Sequence, residues 1–469
     1  MTQTIQRKLN DSAAARWGAM VLIALMMLFA HMFVDVISPI KELIQIQRGW
    51  TSDIFGTYAG SEYLLNVWGF LIVAGIILDK MGIRFTGLTS AIVMVVGAAI
   101  KYYAVSDAFI GTGLEAWLNS WWVAMPASAK LASFGFMIFG CGCEMAGITA
   151  SKALAKWFEG KEMALAMGLE MALARVGVFI IFTISPRLAG IGGINPSVVR
   201  PVAFCTALLV IGLLCYTIFC LMDKKFDKQL GADAAQGESE EEFKLSDLKN
   251  IFTSKLFWIV AMLCVLYYSA IFPFQKFAAN MLQSNLGLDA TTAADIFRWF
   301  PIGAACITPL LGWFLDKKGK GATMLILGSL LMIVCHLTFA LVLPAFPNKV
   351  VAYAAIILLG ISFSLVPASL WPSIPKIMDK RFLGSAYSLI FWVQNFGLSG
   401  TPMLIGWALE KSNPGVAEQI AAGAQVSYNY TLPMLMFAAL GGFALLFSLW
   451  LKAMDKRNGY GLELPNIKE

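Results

Sequence analysis

The sequence is poor in charge. Of its 469 residues only 14% are Asp, Glu, Lys or Arg, against about 25% in an ordinary soluble protein. So little charge excludes a large water-soluble globule, a soluble enzyme and a disordered chain. Histidine is nearly absent. His31 and His336 each stand inside an apolar run with no second ligand nearby. The eight cysteines also lie in apolar runs and read as small buried side chains, which excludes a disulfide scaffold. Cys141 and Cys143 are two apart, so they leave a helix on different sides and make a poor metal pair. No cofactor-cradling motif occurs. The net charge of +6 is scattered in short segments instead of one basic stripe, which argues against nucleic acid. The first apolar run, Trp17 to Ile37, is too long for a removable leader and reads as a membrane helix.

What is present is hydrophobic length. Apolar residues make up 58% of the chain, in blocks of about 20, enough to cross a bilayer core as helix. Twelve spans are expected, near 17–38, 54–78, 84–105, 131–155, 162–186, 201–222, 255–281, 292–315, 322–343, 350–374, 384–408 and 431–452. Between the sixth and seventh, GADAAQGESEEE lies in a polar stretch that cannot bury apolar area. This divides the chain into six spans (1–222), a linker (223–250) and six spans (251–469). With the N-terminus cytoplasmic, 23 Lys and Arg fall on the linker side and 8 opposite. That bias predicts both termini inside a multi-pass membrane protein. Four cations are left within spans: Lys152, Arg175, Lys276 and Arg298.

The halves share a motif. Gly75, Asp79, Lys80, Gly82 and Arg84 stand between spans two and three. Gly312, Asp316, Lys317 and Gly319 stand between spans eight and nine. The pattern G-x-x-x-D-[KR]-x-G thus occurs at equivalent places, where glycine permits tight turns and close approach. It resembles the signature loop of the major facilitator superfamily. The resemblance covers essentially the whole chain. It implies an all-α membrane protein of two six-helix bundles, a central site and alternating access. The loop residues themselves read as gating and packing elements.

Charge at mid-membrane is costly and faces a cavity or a partner. Glu144 and Arg175 fall near the middle of spans four and five. They read either as a buried ion pair, with Glu170 as another partner, or as a zwitterion site. In the second reading Arg175 clamps a carboxylate and Glu144 receives an ammonium. Small residues near Glu144 (Gly140, Cys141, Gly147, Ser151) leave room for a ligand. Asp35 and Glu62 lie nearer the outer end and are candidates for handling protons. Arg298 needs a partner, which Asp295 three residues earlier can supply. The second half offers Tyr267, Tyr268, Trp371, Gln394 and Asn395, and Pro273 can expose carbonyls. The long loop Ser106–Lys130, with Trp117, Trp121 and Trp122, reads as an interfacial anchor or a lid.

Three stretches are similar to one branch of that superfamily, the lysosomal dipeptide transporter group and its bacterial relatives. They are WFEGKE from Trp157 with Ala174, Arg175 and Gly177 after it; YYSAIFPF from Tyr267; and Leu370-Trp371-Pro372 followed by Gly384, Tyr387, Gln394, Asn395 and Gly397. The resemblance implies that Arg175 and Glu144 contact the termini of a dipeptide. Arg298, Glu170 and Lys276 depart from the family pattern. Lysosomal members use an accessory protein, and nothing in this sequence identifies one.

The leading expectation is a transporter of small zwitterions, most simply dipeptides, with facilitated and proton-coupled transport both open. The bacterial relatives suggest a bacterial inner membrane. A proton-coupled organic anion symporter led by Arg175, Arg298 and Lys276 is the alternative. A membrane sensor with the fold but no flux is the reading from another class. It lacks support from any attached signalling domain.

Overall fold

In hydrocarbon each backbone N–H and C=O must be paired within the chain, so apolar blocks fold as helices. The computed structural model describes residues 9–230, 251–378 and 383–465. Among these there is helix and no strand. The first span is Ala13–Val34. The fourth to seventh are Ala127–Trp157, Met163–Ala189, Val199–Leu230 and Lys255–Leu286. The tenth to twelfth are Lys349–Ile377, Leu383–Ser412 and Thr431–Asn458. Ser12 and Ser254 cap the first and seventh by accepting the N–H of Ala15 and Phe257. Left-handed Gly49, Gly190 and Gly287 end helices where a side chain would be strained.

The second and third spans are joined without a loop. One 36-residue helical stretch, Phe70–Val105, is interrupted at Gly82, whose φ of 74° and ψ of 174° are non-helical. The chain reverses there. Arg48, just before the second span, donates from Nε and Nη2 to the carbonyl of Val105 at 2.9 and 2.7 Å. The start of span two and the end of span three therefore share a face. Gly82 of the signature loop is the turn, and a Cβ at that φ would be strained.

Two spans are not continuous. The second is split into Ser52–Ser61, Leu64–Val67 and the first part of Phe70–Val105. The eighth is split into Ala290–Phe297 and Trp299–Lys318. The breaks fall at Glu62 and Arg298. An uninterrupted helix was the expectation for each. The ninth, Gly321–Leu337, continues through a π-helical turn, Thr338–Val342. The expected linker also begins later than Asp223, because the sixth helix runs to Leu230. Asp223 is fully buried there, accepting from Lys156 Nζ (2.8 Å), Trp157 Nε1 (2.9 Å) and Arg84 Nη1 (its other oxygen, 3.3 Å). Residues 231–250, the rest of that linker, lie outside the described residues.

The two halves touch on the face opposite the linker. Gly56 and Gly60 of the second span pack on the backbone of the eleventh. A Cβ at Gly56 would come within 2.3 Å of Pro402 O, and one at Gly60 within 2.2 Å of Ser399 O. From the other side, a Cβ on Gly406 would meet Ser52 O at 2.3 Å. Such contacts have no space for a methyl group. Around them Gln45 donates to Tyr428, Lys41 to Asn280 and the Ser52 N–H to Glu410. Among the described residues, the hydrogen bonds between the halves lie on that face or at mid-depth. The structure is thus closed opposite the linker. Gly56→Leu is expected to force this gate apart. Spin-label distances across it should lengthen by several ångströms, while a Gly18→Leu control, where the glycine has open space, leaves them unchanged.

Candidate functional site

Arg175 stands midway along the fifth span and points across to the second half. Its guanidinium lies 5.0 Å from the centroid of Phe363 and 5.5 Å from that of Phe272. Both distances fit cation–π contact. It forms no hydrogen bond and no ion pair with any described residue. Glu144 of the fourth span has none either. The expected alternative, a Glu144–Arg175 or Glu170–Arg175 ion pair that only orients helices, is not formed. All three side chains are half-buried. Tyr63, Tyr268, Glu170 and Asp35 lie within electrostatic range of Arg175, and Glu62 and Tyr63 within that of Glu144. One and two turns towards the linker from Arg175, Met171 is exposed and Gly168 has open space. The face carrying Arg175 is therefore open on that side.

The rings facing Arg175 form one cluster. Tyr268 stacks on Phe272 at 5.6 Å and meets Phe363 and Trp371 edge-on. Trp371 Nε1 donates to the Tyr268 hydroxyl at 3.2 Å, and the Tyr387 hydroxyl donates to the Trp371 carbonyl at 3.2 Å. Trp371 also stacks on Phe391 at 4.8 Å. Pro273 and Pro372 sit within helices that stay helical. Tyr268 thus lies within electrostatic range of Arg175, and Trp371 joins the same cluster through it.

Other expected ligand residues lie elsewhere. Tyr267 is fully buried, and its hydroxyl is bonded to the carbonyl and side chain of Ser362 at 2.5 and 2.6 Å. It fastens span seven to span ten. Gln394 accepts from Cys264 Sγ at 3.1 Å and ties span eleven to span seven. Asn395 donates to Phe391 O, four residues back, but its buried Oδ1 has no partner. Arg298 donates to Asp295 at 2.9 Å, as the spacing suggested, and Asp295 also takes a bidentate pair from Arg187 at 2.7 and 3.1 Å. This knot joins spans five and eight and leaves Arg298 little freedom to meet an anion. Lys152 is at the membrane edge and pairs with Asp79 at 2.6 Å.

A second charge cluster is the largest departure from expectation. Asp35, Glu62 and Lys276 come together across the halves, each at most 4% exposed. Lys276 Nζ is 3.2 Å from Asp35 Oδ1, 3.2 Å from Glu62 Oε2 and 3.0 Å from the Val34 carbonyl. Gln275 and Ser38 also donate to Asp35. Lys101, counted among the surface cations by the charge tally, is fully buried. Its Nζ lies 4.1 Å from the Phe33 ring centroid and 4.3 Å from that of Phe136. The signal for it was its place inside the third apolar block. Phe363 had no signal, being one aromatic among many.

In the signature loops, Arg84 pairs with Asp227 at 2.6 Å as well as with Asp223. Lys317 lies 4.9 Å from the centroid of Trp313. Lys320 and Gly321 donate to the carbonyls of Glu463 and Leu462, and a Cβ on Gly319 would meet Glu463 O at 2.4 Å. Each loop is thus packed within its own half. In the long loop, Gly113–Asn119 is a short helix, and Trp122 is 95% exposed, as an interfacial anchor would be. Cys306 is exposed, a correction to the reading of all eight cysteines as buried.

The family model for the Major Facilitator Superfamily matches residues 23–402. The chain belongs to this superfamily. Its relatives include the lysosomal dipeptide transporter MFSD1 of Danio rerio, 27% identical over 379 residues, covering 79% of this chain and 75% of that one. MFSD1 of Homo sapiens is 25% identical over 382 residues, covering 80% and 74%. Among solved structures, a bacterial homologue of the human lysosomal transporter Spinster, inward-facing and unoccupied, superposes with a TM-score of 0.69 at 15% identity, covering 95% and 98%. A D-xylose–proton symporter gives 0.67 at 13% identity, covering 93% and 97%. These last two show the fold alone. The protein is a multi-pass membrane transporter, and its substrate is a small molecule.

Proposed function

We propose that this transporter moves dipeptides, with the Arg175 guanidinium holding the substrate carboxylate and Glu144 receiving its ammonium group. The observation that carries this reading is that both charges are half-buried near mid-membrane and unpaired among the described residues, with Tyr63 within electrostatic range of each. A buried charge without a partner is costly. A zwitterion supplies the missing partner to each end at once. A peptide also brings side chains to the Tyr268–Phe272–Phe363–Trp371 rings, which suit apolar or aromatic groups. The similarity to MFSD1 supports the same substrate class. The lysine and arginine bias supports a cytoplasmic linker side, and on that reading the closed gate faces the outside of the membrane.

An organic anion is the second reading, and the unpaired Arg175 alone would serve it. Glu144 disfavours it by placing a carboxylate beside the site. The deciding experiment is counterflow in proteoliposomes with a panel of dipeptides against mono- and dicarboxylates. Exchange of dipeptides but not of carboxylates is expected, and the converse result overturns the reading. Glu144→Gln is expected to weaken dipeptide affinity about tenfold, the worth of one charge-assisted bond of roughly 1.5 kcal/mol. The loss should vanish for N-acetylated dipeptides, which have no ammonium to lose. Isothermal titration of the purified protein reads both.

A further inference from the structure

Among the described residues, no hydrogen bond or ion pair joins the Asp35–Glu62–Lys276 cluster to Arg175 or Glu144, and the cluster is divided in a particular way between the moving halves. Both carboxylates belong to the first half and the lysine to the second. We propose that Asp35 and Glu62 form a one-proton site that fills when the gate opposite the linker opens and Lys276 withdraws, and empties when Lys276 returns. This rests on the alternating-access part of the proposed function and not on the identity of the substrate.

The argument is one of charge and geometry. In the closed gate the three donors of the Lys276 ammonium are matched by Asp35 Oδ1, Glu62 Oε2 and the Val34 carbonyl, at 3.2, 3.2 and 3.0 Å. Lys101 completes the cluster. It is caged by Phe33, Tyr58 and Phe136, with its Nζ 3.4 Å from the Phe33 carbonyl and no carboxylate bonded to it. All of these cage residues belong to the first half, so Lys101 stays with the carboxylates in either state. Two carboxylates and two lysines are neutral together. Separation of the halves removes Lys276 and leaves one excess negative charge on two carboxylates that had shared one cation. Such a pair cannot remain doubly ionised cheaply, and it takes up one proton, held by the pair jointly. When the gate closes, the ammonium reclaims both carboxylates and the proton leaves to water. One proton enters from one face and one leaves towards the other, and Lys276 keeps its charge throughout.

The other groups near the cluster do not already fill this role. On the first span His31 Nδ1 is 2.8 Å from the Met27 carbonyl. On the second are the phenols of Tyr58 and Tyr63. On the fourth are Cys143 and Glu144, on the fifth Arg175 and on the sixth Cys205. From the seventh, besides Lys276, comes the neutral amide of Gln275. From the eleventh, Ser399 donates to Gly60 O and brings no charge. Among the described residues, Lys276 is the one cation that both touches the carboxylates and belongs to the other half.

The test is double electron–electron resonance between labels at Ile110 and Val350. Both are exposed on the face opposite the linker, one in each half. The background carries Cys306→Ser to remove the exposed native thiol. Substrate-free protein in lipid is taken from pH 8 to pH 5.5. Acid is expected to raise the ratio of long to short distances, by up to tenfold per pH unit for one coupled proton. In Asp35→Asn with Glu62→Gln the ratio should be pH-independent. His31→Asn should leave the wild-type shift intact. A wild-type ratio that ignores pH overturns the proposal. So does a shift that survives in the double variant, or one that is lost in His31→Asn. Dipeptide counterflow in the same preparation keeps the two readings apart. Absent counterflow with a pH-dependent distance sinks the dipeptide and spares the proton site, whereas counterflow with pH-invariant distances does the reverse.

Discussion

Arg175→Ala is expected to weaken dipeptide binding by about tenfold to a hundredfold while leaving the folded protein nearly as stable as before. The two halves of that expectation have one cause. Arg175 makes no hydrogen bond or ion pair with any described residue, so truncation orphans none of them. What is lost in the empty transporter is contact with Phe272 and Phe363, 5.5 and 5.0 Å away, worth roughly 0.5–2 kcal/mol. Relief of a desolvated charge offsets part of this. In the loaded transporter the guanidinium makes a charge-assisted bidentate contact worth about 1.5–3 kcal/mol. At about 1.4 kcal/mol per decade this gives the stated range. Arg175→Lys keeps the charge but loses the planar fork, and should fall between. Thermal-shift titrations read both quantities together. C-terminally amidated dipeptides make the test specific, since wild type should bind them poorly and Arg175→Ala should no longer discriminate. Wild-type affinity in Arg175→Ala, or undiminished discrimination, would falsify the carboxylate site.

The contrast between Arg175 and Arg298 shows what the sequence could and could not disclose. Both are arginines within spans. Local spacing identified Asp295 as the partner of Arg298, because i and i+3 meet on a helix in any fold. No local rule could show that Arg187, more than a hundred residues earlier, shares that carboxylate. For Arg175 the depth followed from counting residues along the span, but its facing the rings of the second half did not. Its aromatic neighbours did not follow from counting, because an apolar block carries rings on every face. Tyr267 and Tyr268 make the same point. They are adjacent in sequence and about 100° apart around a helix. One is buried against Ser362 and the other faces Arg175. The helix count and the reversal at Gly82 were legible because hydropathy and glycine punctuation are local signals. The breaks at Glu62 and Arg298 were not, because each is held by packing between spans.

Lys276 is the residue on which the closed gate depends most, and Lys276→Met should cost that state about 3–5 kcal/mol, the usual penalty for removing one partner of a buried ion pair. Asp35 keeps Gln275 and Ser38 as donors, but Glu62 loses the Lys276 ammonium as its side-chain donor and both carboxylates lose their cation. The protein has two ways to avoid the full cost. It can open the gate, which lets water reach the carboxylates, or it can bind a proton. The first route leads to a population shift at neutral pH. The distance between labels at Ile110 and Val350 should lie mainly at its long value in Lys276→Met, against the short value in wild type. Acid should then return part of the population to the short distance, because one proton now does in the closed gate what the ammonium did. This is opposite in sign to the response expected of wild type. Adding Glu62→Gln to Lys276→Met should restore the closed gate at neutral pH, since Asp35 and Lys101 then balance each other. A lysine that merely packed would produce neither the inversion nor the rescue, and a Lys276→Met protein closed at neutral pH would rule out the latch.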